Sequence, residues 1–156
     1  MNYQDGKPLR DPTDVEILRC LGRNPRLAMT ELGRRVGMSA PAVRERVQRL
    51  EDIGAIAGYQ LQVDPKALGY TVMVFIRIRP NPGKLQAVAE IARKMPNVVE
   101  CHRITGEDCF IVKAYLRNLE ELDDVLDRFL VHGHTTTSIA QSSPVPGRPL
   151  PLPELC

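Results

Sequence analysis

The sequence lacks tryptophan, is poor in other aromatic residues and has no long apolar run. Phenylalanine and tyrosine supply the whole aromatic content, 4% of 156 residues. The longest apolar run has five residues, Val72 to Ile76, whereas a helix needs ~20 to cross a bilayer. The opening MNYQDGKPLRDP also lacks the apolar segment of a signal peptide. We therefore expect no membrane association and a cytoplasmic protein.

Cysteines are few, and their spacing does not fit a metal site. The four are Cys20, Cys101, Cys109 and Cys156, without a CxxC pair or another ligand spacing. In a reducing compartment, isolated cysteines remain thiols in the core or on the surface. The cysteines therefore predict neither a disulfide nor a metal site, and we expect no cofactor apart from a small-molecule effector.

The net charge of the whole chain is small, but positive charge is concentrated in one segment. The formal net charge is +2, yet residues 23–50 hold seven arginines and two acidic residues, a local charge of +5. The remainder carries 14 basic and 17 acidic residues. A cationic segment within a nearly neutral chain indicates contact with a polyanion. A solvated helical surface has the same pattern, so charge alone leaves both interpretations open.

Hydrophobic spacing predicts a helix at the start of this region. The dipeptide Asp11-Pro12 is typical of a helix start. Val15, Leu18 and Leu21 follow at helical spacing, and the next glycine should end the helix.

A second and a third helix are expected on either side of a short turn. Thr30 is placed to cap the second helix, which Gly37 should end. Ser39 is a favourable N-cap for the third, and Pro41 falls in the first turn, where its missing N–H costs nothing. The third helix is predicted over residues 40–53.

The third helix carries branched apolar residues on one side and arginines on much of the rest. At about 100° per residue, Val43, Val47 and Leu50 fall within about 60° of one another and form the expected buried stripe. The opposite side has Pro41, Ala42, Glu45, Gln48 and Arg49, and the flanks have Arg44 and Arg46. Two helices joined by a glycine-containing turn, the second with a small, polar, arginine-flanked face, are typical of a helix-turn-helix.

This pattern predicts double-stranded DNA as a partner, with the third helix in the major groove. Arg49, Gln48 and Glu45 are expected to reach base edges, while Arg44, Arg46 and the Arg34-Arg35 pair reach phosphates. The complete predicted interface is Arg34, Arg35, Ser39, Ala40, Pro41, Ala42, Arg44, Glu45, Arg46, Gln48 and Arg49. On this orientation, Arg49→Ala should lose more sequence discrimination than Arg34→Ala.

The chain then changes from helical to extended patterning. EDIGAIAGYQLQV predicts a turn at Gly54 and an extended pair in the position of a short wing. Residues 61–69 contain Asp-Pro and end in glycine, which is typical of a connector. TVMVFIRIR, residues 71–79, is rich in β-branched groups and predicts a strand.

The rest of the chain alternates helices and strands. The pattern predicts a helix over residues 85–95, strands over 98–104 and 109–115, a helix capped by Asn118, and a last strand in HTTTSIAQ. The order βαββαβ predicts a ferredoxin-like domain, and the whole chain an α+β fold. Two helices cover only one face of such a sheet, so we expect a second copy to cover the other.

These patterns divide the chain into five segments. Residues 1–10 are expected to be a flexible N-terminus, and residues 11–60 a helix-turn-helix domain. A linker over residues 61–69 leads to the βαββαβ domain, residues 70–142. The proline-rich end, residues 143–156, has no periodicity and predicts a flexible or polyproline-like tail.

The chain resembles the Lrp/AsnC family of bacterial and archaeal transcription regulators, also called feast/famine regulators. The similar stretches, in order over residues 11–141, are DPTDVEILRCLGRNPR, ELGRRVGMSAPAVRERVQRLEDIGAIAGY, VDPKALGY, RITGEDCF and GHTTTSIA. The resemblance implies a winged helix-turn-helix followed by an effector-binding domain, and homodimers that often assemble into octamers. It also implies a nucleoid-associated regulator whose operator affinity or assembly responds to an amino acid or related metabolite.

In that family the effector site lies where dimers meet. In this chain it corresponds to the loop before the third predicted strand and to the last predicted strand. The residues implied for effector binding are Thr105, Gly106, Glu107, Asp108, Thr135, Thr137 and Ser138. From the residues themselves, Gly106 permits close backbone approach, and Asp108 can accept hydrogen bonds from an ammonium group. A β-turn in which both residues serve only the backbone would have the same pattern.

An enzyme of the same fold is the alternative function. A few relatives of the fold decarboxylate a haem precursor, a tetrapyrrole, with a histidine of the sensing domain, and this chain has His102, His132 and His134. The acidic run over residues 120–127 is better explained as the start of a helix, where acids complement the helix dipole. Because no nucleophile, base and orienting group occur at a recognisable spacing, we expect a regulator and not an enzyme.

Overall fold

The computed structural model describes residues 9–154, which form two compact units. The first unit contains the chain up to Leu61 together with the segment from Val145 onwards, and the second contains residues 62–144. Across the described range, no helix has the length and apolar character needed to cross a membrane. Residues 140–154 contain neither helix nor strand.

Three helices form the first unit. They are α1 (Pro12–Arg23), α2 (Met29–Val36) and α3 (Ala40–Asp52). Asp11 caps α1, because its carboxylate accepts hydrogen bonds from the backbone N–H groups of Thr13 (2.8 Å) and Asp14 (3.1 Å). Such a cap satisfies donors that have no partner inside the helix.

One apolar core holds the three helices together. Its buried members are Ile17, Cys20, Leu21, Leu32, Val43, Val47 and Leu50. The last three confirm the predicted buried stripe of the third helix. Leu9 packs against this core, so part of the segment predicted to be flexible is anchored, while residues 1–8 lie outside the described chain.

The prediction that Thr30 caps the second helix is wrong. The helix already includes Met29, and Ala28 occupies the N-cap position without a side-chain hydrogen bond. The carbonyl of Ala28 accepts the N–H of Leu32 at 2.9 Å. The first helical hydrogen bond therefore begins before Thr30, which lies inside the helix.

The extended pair predicted as a wing does not form in the described structure. Residues 55–64 contain no strand, although Tyr59, Leu61 and Val63 alternate as strand residues do and are exposed. A strand needs a neighbour whose backbone groups pair with its own. The described part of the first unit has no strand to supply that neighbour.

The second unit is a four-stranded sheet with two helices. Its elements are a 3₁₀ helix (Pro65–Leu68), β1 (Val72–Pro80), α4 (Leu85–Lys94), β2 (Val98–Arg103), β3 (Phe110–Leu116), α5 (Glu121–Leu130) and β4 (Gly133–Ile139). The strand order is β2-β3-β1-β4 with antiparallel neighbours, which confirms the predicted βαββαβ fold. Asn118 was predicted to cap the last helix, but the N-cap position is held by Glu120 without a side-chain hydrogen bond. The Oδ1 of Asn118 instead accepts the N–H of Glu121, the first helical residue, from two positions before the cap, at 3.1 Å.

The side chains of β1, one of the two inner strands, alternate between the two faces of the sheet. Val74, Ile76 and Ile78 are fully buried in the core that α4 and α5 complete. The alternate residues lie on the other side, here called the open face. The open face consists of Met73, Phe75, Arg77, Arg79, Glu100, His102, Ile111, Lys113, Tyr115, His134, Thr136 and Ser138.

We expect one substitution, glycine to alanine, to have opposite effects at two helical positions. A β-carbon at Gly33 of α2 would lie 2.6 Å from the carbonyl oxygen of Met38, whereas one at Gly22 of α1 would meet nothing within 4 Å. Gly33→Ala should therefore cost about 1–3 kcal/mol of unfolding free energy, and Gly22→Ala should add about 0.5 kcal/mol. Thermal unfolding followed by circular dichroism measures both, and equal effects would contradict the close packing at Gly33.

Candidate nucleic-acid interface and ligand site

The turn between α2 and α3 depends on two glycines and one capping serine. Gly37 has a φ of 70°, a left-handed conformation that glycine adopts without steric cost. The N–H of Met38 donates to the carbonyl of Gly33 at 2.8 Å, so the chain folds back directly over that glycine. Ser39 then caps α3 by accepting the N–H of Ala42 at 3.4 Å.

The side of α3 opposite the buried stripe is exposed. It is formed by Pro41, Glu45, Gln48 and Asp52, with Arg44 at its edge. The Nε2 of Gln48 donates to Oδ1 of Asp52 at 3.0 Å. Arg44 is exposed and forms no ion pair with any carboxylate that the structure describes. This surface, here called the outer face of α3, can therefore offer polar groups and one unneutralised cation to a partner.

Arg34 and Arg35 pair with Glu31, one turn earlier on α2. Arg34 donates through Nε and Nη2, and Arg35 through Nε, each at 2.9 Å. The hydrogen bonds from Arg34, and then those from Arg35, lower the pKa of Glu31 from 4.5 to about 2. The two arginine side chains remain 76% and 47% exposed, so each keeps N–H donors available on the surface.

Arg46 and Arg49 are held against α1 by a buried carboxylate. Asp14 is 1% exposed, and its two oxygens accept from different arginines, Oδ1 from Arg46 (2.9 Å) and Oδ2 from Arg49. The Nη1 of Arg46 also lies 3.0 Å from Oδ2 of Asp11. Its hydrogen bonds to Asp11 and then to Asp14 raise the pKa of Arg46, and the bond from Arg46 lowers the pKa of Asp11.

The orientation predicted for these two arginines is therefore wrong. Arg49 was expected to reach base edges and Arg46 to reach phosphates, but both point along the flank of α3 that faces α1. A buried carboxylate without a partner is costly, and the long arginine side chains cross the helix surface to neutralise it. Asp14 was missed because an acid in the first turn of a helix is also explained by the helix dipole.

The loop between β2 and β3 ends at the edge of the open face. The N–H of Ile104 donates to the carbonyl of Cys109, and the N–H of Cys109 donates to the carbonyl of Ile78 on β1, both at 2.9 Å. Gly106 has a φ of 113°, which strongly favours glycine. The predicted loop residues, of which only the last is partly buried, are Thr105, Gly106, Glu107 and Asp108.

Charges of both signs meet where this loop joins the open face. The Nε of Arg77 lies 3.8 Å from Oδ2 of Asp108, and the Nε of Arg79 lies 4.0 Å from Oδ1. Arg79 also donates to Glu107. These four residues are called the charge quartet below. The contacts of Asp108 are too long for hydrogen bonds, so its carboxylate and the arginine Nε groups retain bonding capacity.

The predicted residues of the last strand do not share one surface. Ser138 lies on the open face, whereas Thr135 and Thr137 are paired with core positions of β1 and lie on the face covered by the helices. Grouping all three with the loop is therefore wrong. The threonine on the open face is Thr136, directly across from Arg77. Three consecutive threonines show no apolar-polar alternation, so the sequence could not indicate which of them faces which way.

A cavity of about 480 Å³ lies elsewhere in the second unit, between α4 and β2. Its charged lining residues are Arg93, Glu100 and Arg103, and its apolar wall includes Phe110. None of the predicted effector-binding residues lines this cavity. The ligand hypothesis therefore depends on the exposed loop and the charge quartet.

The three histidines occupy separate places. His102 is on β2 and His134 on β4, the two edge strands of the sheet. His132 follows α5, and its Nδ1 is buried without a hydrogen-bond partner in the described structure. Within residues 9–154, no three metal-ligating side chains form a group. Three cysteines are free thiols, Cys20, Cys101 and Cys109, and the fourth lies outside the described residues.

Both units match models of known domains. The model of the AsnC-type helix-turn-helix domain matches residues 11–51, and that of the Lrp/AsnC ligand binding domain matches residues 72–150. YezC of Bacillus subtilis strain 168, an uncharacterized HTH-type transcriptional regulator, is 41% identical over 133 residues, which cover 85% of this chain and 94% of YezC.

Solved structures agree with these matches. The structure of B. subtilis LrpC has a TM-score of 0.80 at 32% identity, covering 85% of this chain and 95% of LrpC. Transcriptional regulator NMB0573 of Neisseria meningitidis, solved as a complex with L-Met, has a TM-score of 0.82 at 30% identity, covering 90% and 96%. The three-helix unit, the βαββαβ unit and these similarities show that the chain belongs to the Lrp/AsnC family of DNA-binding, HTH-type transcriptional regulators.

Proposed function

We propose that this regulator recognises specific DNA sequences through α3, and that its operator affinity or assembly changes when an amino acid or related metabolite binds at the charge quartet. The proposal of a ligand site is supported by the charge quartet. Arg77, Arg79, Glu107 and Asp108 place two positive and two negative groups side by side at the edge of the open face.

The quartet matches the chemistry of a zwitterion. Asp108 can accept hydrogen bonds from an ammonium group, and the guanidinium groups of Arg77 and Arg79 can each bind a carboxylate in a bidentate manner. Thr136 adds a hydroxyl on the same face. The exposed ion pairs that a ligand would displace contribute little stability, so exchanging them for direct bonds to a ligand costs little.

The similar protein NMB0573 was solved with L-Met bound, which supports an amino acid as the class of ligand. The loop of this chain also suits a small polar ligand. The exposed residues Thr105, Gly106 and Glu107 directly precede Asp108, and glycine lets a ligand approach the backbone closely.

We further propose that two copies pair through the open face and that dimers assemble further, up to an octamer. Met73, Phe75, Ile111 and Tyr115 are half-buried apolar or aromatic residues on this face, while both helices of the unit pack on the other face. A second copy would remove these groups from water. A ligand at the edge of such an interface would favour one assembly, with a typical coupling of ~1–3 kcal/mol.

For DNA, we propose that the outer face of α3 enters the major groove. Glu45 and Gln48 would contact base edges, Arg44 would contact a phosphate from the edge of that face, and Arg34 and Arg35 would contact phosphates from α2. Close approach of the first turn is provided by the small residues Ser39, Ala40, Pro41 and Ala42.

Replacing Arg44 tests this orientation. Arg44→Ala should reduce the slope of log K against log salt by about 0.9, the contribution of one phosphate contact. Arg128→Ala removes the same charge from α5, in the other unit, and should leave the slope unchanged. Fluorescence anisotropy at several salt concentrations, with a duplex selected by the wild-type protein from a random pool, measures both. An unchanged slope for the Arg44 variant would contradict the proposed docking.

Replacing Asp108 tests the ligand site. A thermal-shift screen of the common amino acids should identify a ligand of the wild-type protein, because binding to the native state raises Tm. Asp108→Ala should then abolish binding of that amino acid in calorimetry while DNA affinity stays unchanged. Asp127→Ala, which removes an exposed acid from α5, is the matched control. Normal calorimetric binding by the Asp108 variant would refute the site, and a screen without any shift would refute the common amino acids as ligands.

A further inference from the structure

The ion pairs between α1 and α3 affect the charge that the first unit presents to DNA. The two helices are joined by Asp11, Asp14, Arg46 and Arg49, here called the α1–α3 clamp. Among the described residues, Asp14 is the single buried charged side chain. Both of its oxygens are occupied by arginines of the recognition helix.

The clamp neutralises cations that the sequence places in the DNA-binding segment. Residues 23–50 carry a local charge of +5, but residues 11–22 hold one arginine and three acids, so residues 11–50 carry only +3. Two of those three acids, Asp11 and Asp14, are the ones that fold onto α3. The arginine-rich segment is therefore partly neutralised in the folded unit.

The paired arginines are still near the surface. The side chains of Arg46 and Arg49 are 32% and 48% exposed, so either could swing toward a phosphate if its partner were removed. With Asp14 present, that movement would leave one oxygen of a buried carboxylate without its arginine partner, which is unfavourable. The carboxylate thus restrains two cations that could otherwise contact any DNA sequence.

We propose that Asp14 determines the sequence specificity of this regulator by withholding Arg46 and Arg49 from nonspecific phosphate contacts. Nonspecific affinity depends on the number of phosphates that a protein neutralises, whereas discrimination depends on contacts to base edges. Restraining two cations lowers the nonspecific affinity without changing the contacts to base edges. The ratio of specific to nonspecific affinity is therefore larger than the arginine content of the segment would give.

A purely structural role for the clamp makes a different prediction. If Asp14 only positioned α3, its removal would loosen the helix and weaken binding to every duplex. If Asp14 restrains the arginines, its removal strengthens binding to unrelated duplexes. The sign of the change in nonspecific affinity therefore separates the two roles.

The first experiment uses Asp14→Asn in the full chain, with a duplex selected by the wild-type protein and a scrambled duplex of the same composition. Affinity for the scrambled duplex should rise several-fold at low salt, and the salt slope should steepen by up to about 1.8, the value for two phosphate contacts. Discrimination between the duplexes should fall. Unchanged or weaker binding to the scrambled duplex, or an unchanged slope, would overturn the proposal.

A control and a second variant complete the test. Glu90→Gln makes the same change in net charge and releases Arg93 in the other unit, so it should leave both affinities unchanged. Arg49→Gln keeps Asp14 paired with Arg46 and remains informative even if Asp14→Asn does not fold. It should leave the salt slope and discrimination unchanged, whereas a slope reduced by about 0.9 would show that Arg49 already contacts a phosphate and would overturn the proposal.

Discussion

The two-residue period of β1 is the constraint on which the second unit depends. Its even-numbered residues Val74, Ile76 and Ile78 complete the core, and the alternation places Arg77 and Arg79 on the opposite face. A shift of one residue in register would bury both guanidinium groups and expose the core. The core and the charge quartet are therefore produced by one register, and neither can change alone.

Elements that depend on local periodicity could be predicted from the sequence. The apolar stripe of α3 and the succession of helices and strands along the second unit follow from spacings within a few residues. The orientation of β4 could not be predicted, because HTTTSIAQ has no alternation at its centre. Pairing with β1 decides that orientation, and it places Thr136 rather than its neighbours beside Arg77.

Features that need a distant partner were beyond the sequence. Asp14 and Arg46 are 32 residues apart, and nothing near either residue indicates that the carboxylate is buried. The wing predicted from the sequence is absent from the described structure for a related reason, because here the distant partner is lacking. Tyr59 and Leu61 have the alternation of a strand, yet the described first unit offers no strand to pair with them. Alternating residues allow a segment to form a strand, but the strand forms only where a neighbouring strand supplies backbone hydrogen bonds.

The two oxygens of Asp11 serve two different purposes. Oδ1 receives the first N–H groups of α1, while Oδ2 lies beside Arg46 of α3. Fraying of a helix end ordinarily requires little free energy, but here it also breaks a contact between helices. Unwinding of α1 from its N-terminus therefore also loosens one contact with the recognition helix, while Asp14 and the apolar core continue to hold α3 in place.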